Sequence, residues 1–474
     1  MEATTEKEFT KLEGFAFLVA MIGVQLASEL FAQWGTYFYS PSGETGRIVY
    51  VSISVVAYIF MLGRIMDLAT DPIIGLASDR SSFGGGRFRI PRIRGRRRPF
   101  IFWGSILMTF TGVAFWYPPV AEASVVNFIY GALLMSLHWV MYTLAYIPLL
   151  ALAPEIARSH DARVKLGTWI AVGMVLGLVA SALAPGILID LLDPARSSTT
   201  EDGQTVYSPV GYQRVAWIFA FITLACFQFF VWVVRERENE RPSSKATPAW
   251  REMARAFEEP LFRKYFVIFF LFYMGLLANQ RAIPFWVELG LQGNEATLSV
   301  LGIPFMITAL LGALGCLWLC KRFEMKWLVV FALGTMAIGM PFMYVIAKME
   351  ADPSLKLILG SVVYGTKGIG LGMMYVLVTP LLGEIIDKSA EAFGERREAV
   401  FNAMHAVMVK AAQTLSILIA VTLMDRYGNS VSQPDGVFFV APVSSLFCFV
   451  AMIFAARYPV VRSIHDHANL KEEK

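Results

Sequence analysis

Gly63-Arg64-Ile65-Met66-Asp67-Leu68-Ala69-Thr70-Asp71-Pro72-Ile73-Ile74-Gly75 is the stretch on which the reading of this chain turns. It lies in an apolar run long enough to cross a bilayer, for which about 20 residues suffice, yet it holds three charges. Asp67 and Asp71 are four residues apart and share a helical face, with Arg64 a turn before Asp67. An ionised side chain at mid-bilayer costs at least about 2.5–3.5 kcal/mol unless it is paired or meets water. Three on one helix point to a cation site inside a membrane protein. The alternative on these residues alone is a structural ion pair, Asp67 with Arg64, that only fixes packing. Pro72 has no N–H to offer the Leu68 carbonyl. That carbonyl, the two carboxylates and the Thr70 hydroxyl would gather several oxygens, as hard cations require.

The rest of the chain agrees with a bilayer setting. Of 474 residues 56% are hydrophobic and 16% charged, with a mean hydropathy of +0.55, whereas soluble domains carry about 25% charged residues. Cys226, Cys316, Cys320 and Cys448 all fall in apolar runs, which predicts neither disulfides nor a metal cluster. The N-terminal segment is polar without the basic region of a signal peptide, so the first run is expected to remain a membrane helix. Twelve apolar runs of span length occur, six on each side of a charged, proline-bearing stretch. They predict an all-α membrane protein with 12 transmembrane helices in two six-helix bundles, residues 1–234 and 265–474, joined by a cytoplasmic linker at 235–264.

Basic residues set the expected orientation. Arg80, Arg87, Arg89, Arg92, Arg94, Arg96, Arg97 and Arg98 follow the second run. Arg158, Arg163 and Lys165 follow the fourth, and Lys321, Arg322 and Lys326 the eighth. Both termini are therefore expected in the cytoplasm. Membrane topology accounts for the arginine cluster, and no nucleic-acid partner is expected. The shorter basic stretch at 321–326 echoes the first and suggests an internal duplication.

Other polar groups sit inside the runs. Gln25, Glu29 and Gln33 recur at every fourth position and form one polar stripe, expected to line a cavity. Lys410, near the middle of the eleventh run, needs an acid, and Asp67 or Asp71 would serve. Lys367 lies among glycines of the tenth run, which allow close helix contact, and is a candidate to face the substrate cavity. Arg281 follows Asn279 and Gln280, facing either the cavity or the headgroups. His138 and His405 are read as core residues by default, and Gly173 and Gly177 as a helix contact.

The stretch from Arg64 to Gly75, followed by Asp79-Arg80 and Gly95-Arg96-Arg97-Arg98-Pro99-Phe100, resembles the signature of the glycoside–pentoside–hexuronide:cation symporters. This is the family of melibiose permease within the major facilitator superfamily. A second similar segment runs Glu384-Ile385-Ile386-Asp387, then Gly394-Glu395-Arg396-Arg397-Glu398-Ala399, then Lys410. The family more often has Ala-Asp where this chain has Gly383-Glu384, and Gly where it has Ala399. The resemblance implies a major facilitator fold with alternating access. It implies that Asp67, Asp71 and Thr70 bind Na+ or H+, that Thr143 adds a ligand and that Lys410 tunes the site. If the ion is Na+, Asp67 and Asp71 are its metal ligands. Arg64, Asp79, Arg80, Glu384 and Arg396 take gating or structural roles. The sugar-reading acids of melibiose permease align with Gln25 and Tyr146, its tryptophan with Leu150, and its arginine falls near Ile170. The cation machinery is kept and the galactoside-reading groups are not. The stretch from Arg87 to Gly95 is longer than the family's usual loop.

The expectation is a secondary active symporter of the plasma (bacterial inner) membrane, monomeric, coupling Na+ or H+ entry to uptake of a glycoside or hexuronide. Gln25, Glu29, Tyr146, Lys367 and Arg281 are its candidate substrate residues. No cofactor beyond the coupling ion is expected. A lysolipid or amphiphile transporter on the same fold is the alternative. No His-x-x-x-His pair, Gly-x-Ser-x-Gly elbow or nucleotide-binding glycine loop occurs, so no enzymatic activity is expected.

Overall fold

The computed structural model describes residues 9–81, 93–157, 159–195, 207–236, 256–393 and 398–459. These residues form twelve α-helices. The first six are α1 (Lys11–Tyr39), α2 (Ile53–Arg80), α3 (Arg98–Ala114), α4 (Val125–Ile156), α5 (His160–Leu192) and α6 (Val210–Val233). The second six are α7 (Pro260–Leu291), α8 (Glu295–Leu319), α9 (Met325–Lys348), α10 (Pro353–Phe393), α11 (Glu398–Tyr427) and α12 (Asp435–Ala456). Eleven are long and apolar enough to cross a bilayer. The twelfth, α3, has 17 residues.

Local chemistry sets the ends. Thr10 caps α1, accepting from the Glu13 amide at 3.1 Å while Glu13 returns a carboxylate to the Thr10 amide at 2.8 Å, a reciprocal box that satisfies two orphan donors. Asn294 and Thr297 do the same for α8. Several helices run on past the apolar segments read from sequence. The tenth run ends near Leu382, but α10 continues to Phe393, since backbone hydrogen bonds propagate once a helix is nucleated, whatever the side chains. Prolines at positions 72, 148, 154, 185, 284, 304, 341, 380 and 442 lie inside helices, as membrane helices tolerate. Apolar side chains also face outward in stripes. Val125, Ile129, Leu133 and Leu137 on α4 are all exposed at one-turn spacing. A contiguous apolar face of this kind suits lipid.

The chain divides into two compact units, Met1–Pro41 with Gly46–Pro242, and Ser42–Thr45 with Ser243–Lys474. In the first, α1 packs on α5 and α6, α2 on α4, and α3 on α4 and α6. In the second, α7 packs on α11 and α12, α8 on α10, and α9 on α10 and α12. The second set is the first shifted by six helices. Individual contacts repeat too. Gly23 approaches Cys226 as Gly275 approaches Cys448, and Gly131 approaches Tyr39 as Gly360 approaches Leu291. The duplication suggested by two basic stretches is therefore present in the packing.

Candidate functional site

The site of the first unit is built on α2 and α4. Their close approach at Gly63, where an added Cβ would meet Met135 and Trp139 at 2.6 and 2.8 Å, brings the polar face of α2 against α4. Asp67 is buried, at 1% exposure, and Asp71 is half-buried one turn on. The Thr143 hydroxyl of α4 lies 2.8 Å from Asp67 Oδ1 and 3.3 Å from Asp71 Oδ1. A hydroxyl has one proton, so it donates to one carboxylate at a time, and the shorter distance favours Asp67. The two carboxylates thus converge on one oxygen.

Arg64, a turn before Asp67, is also buried. Its Nη1 is 3.4 Å from Asp67 Oδ2, and its guanidinium carbon lies 3.5 Å from the Trp139 ring centre. The cation is held by a carboxylate on one side and an aromatic face on the other. Glu29 of α1 and Tyr142 of α4 are within electrostatic reach of Arg64. Tyr142 in turn sits against Tyr146 at 5.3 Å between ring centres. Glu29, Arg64, Asp67, Asp71, Thr143 and Tyr146 therefore gather on α1, α2 and α4.

The remaining expected residues fall as follows. The Thr70 hydroxyl donates to the Met66 carbonyl at 2.8 Å, so its proton stays on its own helix. Gln25 is half-buried, and its side-chain stem fills the space above Gly177 of α5; Gly173 makes a like approach to Leu18. In the second unit Lys367 on α10 is buried, at 2% exposure, with Nζ 2.6 Å from Asn279 Oδ1 on α7 and 4.1 Å from the Tyr364 ring centre. Arg281 is buried on α7, and Lys410 is half-buried on α11. Glu384 pairs with Lys388 at 3.3 Å, and Arg396 lies outside the described residues. His138 Nε2 meets the Ala27 carbonyl at 3.1 Å, and His405 Nδ1 meets the Tyr265 hydroxyl at 2.9 Å.

One charged cluster was legible only as a topology signal. Asp79 and Arg80 end α2, where Arg80 is exposed. Asp79 pairs with Arg97 at 2.5 Å, Arg97 with Glu155 at 2.6 Å, and Arg96 with Glu155 at 2.9 Å. Glu236 Oε2 accepts from the Arg97 amide at 2.9 Å and faces the Arg98 amide at 3.4 Å. A carboxylate there satisfies orphan donors at the α3 N-terminus. Gly95 has φ +147°, a conformation that residues with a side chain rarely adopt, and an added Cβ would lie 2.3 Å from Glu236 Oε2. Of the long stretch from Arg87 to Gly95, residues 87–92 lie outside the described residues. Glu155 and Glu236 were the residues missed. Each closes an apolar run, which was the available signal.

Comparison with known proteins gives this geometry its setting. Residues 16–462 match the family model described as MFS/sugar transport protein. The chain is 22% identical over 500 residues to an uncharacterised symporter of Synechocystis, covering 86% of this chain and 87% of that protein. It is 20% identical over 401 residues to the isoprimeverose transporter of Lactiplantibacillus pentosus, covering 84% and 76%. Its fold is similar to that of the nucleoside transporter NupG. Against one NupG crystal structure the TM-score is 0.65 at 9% identity, with 94% of this chain and 100% of that chain covered. The chain is an integral membrane transporter, not an enzyme, and belongs to the glycoside–pentoside–hexuronide:cation symporter family of the major facilitator superfamily.

Proposed function

We infer that the protein is a secondary active symporter that couples entry of Na+ or H+ to uptake of a sugar-like solute, a glycoside or hexuronide. Twelve spans in two six-helix bundles, with both termini cytoplasmic, would rock about a central solute site. The observation that carries the reading is the convergence of Asp67 and Asp71 on the Thr143 hydroxyl, within a helix long and apolar enough to cross a bilayer. Two carboxylates held this close repel when both are ionised. A small cation relieves that repulsion, which makes its binding favourable and its removal costly.

Cation binding and solute binding are then linked. If the discharged site favours the solute-binding state, each ligand raises the affinity for the other by the same factor. Glu29, Gln25 and Tyr146 would offer hydrogen bonds to solute hydroxyls. Lys367, Lys410 and Arg281 would suit a solute carboxylate, which favours an anionic sugar.

The test is uptake by proteoliposomes under an imposed Na+ or H+ gradient. Asp67→Asn and Asp71→Asn should each abolish accumulation. Full gradient-driven accumulation in both variants would refute the coupling role. A thermal-shift screen against glycosides, uronides and lysolipids, with and without Na+, identifies the solute class, because a ligand of the folded state raises the melting temperature. Stabilisation by lysolipids alone would replace the sugar with an amphiphile.

A further inference from the structure

Three residues that line one cavity of the first unit each carry a buried polar atom with no hydrogen-bond partner in the protein. They are His138 Nδ1 on α4, Thr223 Oγ1 on α6 and Trp116 Nε1 just past the end of α3. Each of the three residues is 3% exposed or less. The cavity measures about 30 Å³ and lies among α1, α3, α4 and α6. Folded proteins leave few buried polar atoms unsatisfied, because each costs its lost hydration.

The three atoms ask for different things. His138 Nε2 meets the Ala27 carbonyl, an acceptor, so Nε2 carries the ring proton and Nδ1 of the neutral ring accepts. The Met108 carbonyl beside the ring cannot donate to it. The Trp116 indole nitrogen only donates, and the Thr223 hydroxyl does either. A group that both donates and accepts can serve all three. No side chain of α3 stands against Nδ1 at Gly112, where an added Cβ would lie 3.0 Å away.

The second unit fills the matching place with protein. The repeated contacts make Gly131 the counterpart of Gly360, Gly23 of Gly275 and Cys226 of Cys448. Seven residues past the first pair stand His138 and Lys367. Four past the second stand Ala27 and Asn279, and three before the third stand Thr223 and Ser445. Lys367 Nζ donates to Asn279 Oδ1 at 2.6 Å, and the Ser445 hydroxyl donates to the Ala337 carbonyl at 2.5 Å. The polar groups of the second unit are thus satisfied from within. In the first unit the carboxamide is replaced by the methyl group of Ala27, which lines the cavity.

We propose that this cavity is a binding site for one or two ordered water molecules, which take the part that the Asn279 carboxamide plays in the second unit. About 10–15 Å³ is enough for one water, and a buried water makes about three hydrogen bonds. Here it accepts from Trp116, donates to His138 Nδ1 and shares a hydrogen bond with Thr223. The water joins α6 and the end of α3 to α4, next to Trp139, whose ring lies against Arg64. The site is independent of which solute is carried.

Position 27 separates a hydrated site from a dry packing gap. Valine and asparagine have similar helix propensities, so the backbone cost of the two substitutions cancels. Ala27→Val displaces the water and satisfies no polar atom, and should lower the melting temperature of the full-length protein by several degrees. Ala27→Asn supplies a donor and an acceptor in place of the water, and should melt close to the wild type. In a dry gap the order reverses, since added methyl groups gain contacts and a carboxamide is buried unpaired. Ala27→Val melting at or above Ala27→Asn therefore overturns the proposal. If either variant fails to fold, the wild type decides. A crystal structure at a resolution that shows ordered solvent should have water density within hydrogen-bond reach of His138 Nδ1 and Thr223 Oγ1, and a map that shows solvent elsewhere but none there overturns the proposal.

Discussion

Thr143 on α4 donates to Asp67 on α2 across a buried helix contact, at 2.8 Å. That bond holds one carboxylate oxygen toward the second acid a turn away. Thr143→Ala should raise the cation concentration needed for half-maximal uptake by about tenfold or more, the worth of a hydrogen bond to a charged group. Thr143→Ser, which keeps the hydroxyl, should restore most of the affinity. Cation titration of uptake distinguishes the two.

Arg64 is gripped on two sides, by Asp67 at 3.4 Å and by the Trp139 face at 3.5 Å. Lysine keeps the charge but loses the flat, weakly hydrated surface that stacks. Arg64→Lys should therefore impair both thermal stability and uptake, and Trp139→Phe should do so more mildly because a ring remains. Melting curves and uptake rates measured on the same preparations check this.

Lys367 has Asn279 as its hydrogen-bond acceptor within the second unit. Removing one partner of a buried polar pair leaves the other unsatisfied, whereas removing both can be nearly neutral. Asn279→Leu should lower the melting temperature clearly. Asn279→Leu combined with Lys367→Met should recover most of the loss, a coupling that a double-mutant cycle measures.

Glu236 caps the amide end of α3 with its side chain fully out of solvent. Glu236→Ala should cost roughly 1–2 kcal/mol of stability, the usual worth of an N-terminal cap with a favourable helix-dipole charge. Asp79→Asn, at a half-exposed position, should cost much less. Chemical denaturation in detergent ranks the two.

Gly368 and Gly372 of α10 meet α8 at the carbonyls of Phe305 and Ala309. In a membrane, helix association depends on such close backbone approach. Gly372→Ala should drive α8 and α10 apart and lower stability, while Gly383→Ala on the same helix, with open space around it, should be neutral. Comparison of the two melting temperatures separates packing from helix propensity.

The two units share a packing pattern and differ in what it carries. The same helix pairs form in each unit, yet the groups at matching places are not the same. The α1 segment after Gly23 holds Ala27, whose carbonyl meets His138, and the α7 segment after Gly275 holds Asn279, whose side chain meets Lys367. One scaffold thus carries an imidazole–carbonyl contact in the first half and a buried lysine–amide contact in the second.

The sequence by itself determined the elements and the charged stretch. Runs of apolar residues identify membrane helices because unsatisfied backbone groups in hydrocarbon leave few other solutions. The spacing of Asp67 and Asp71 puts them on one face because a helix turns every 3.6 residues. What only the tertiary structure decided is which side chains from other helices meet that face. Trp139 and Thr143 come from about 75 residues further on; no periodicity within α2 specifies either, and Thr143 is reached from sequence only through the family resemblance. The same holds for Glu155 and Glu236, which only folding sets against Arg96, Arg97 and the start of α3. Local spacing is dictated along the chain, but a partner across a helix interface is chosen by packing, and packing is a property of the whole bundle.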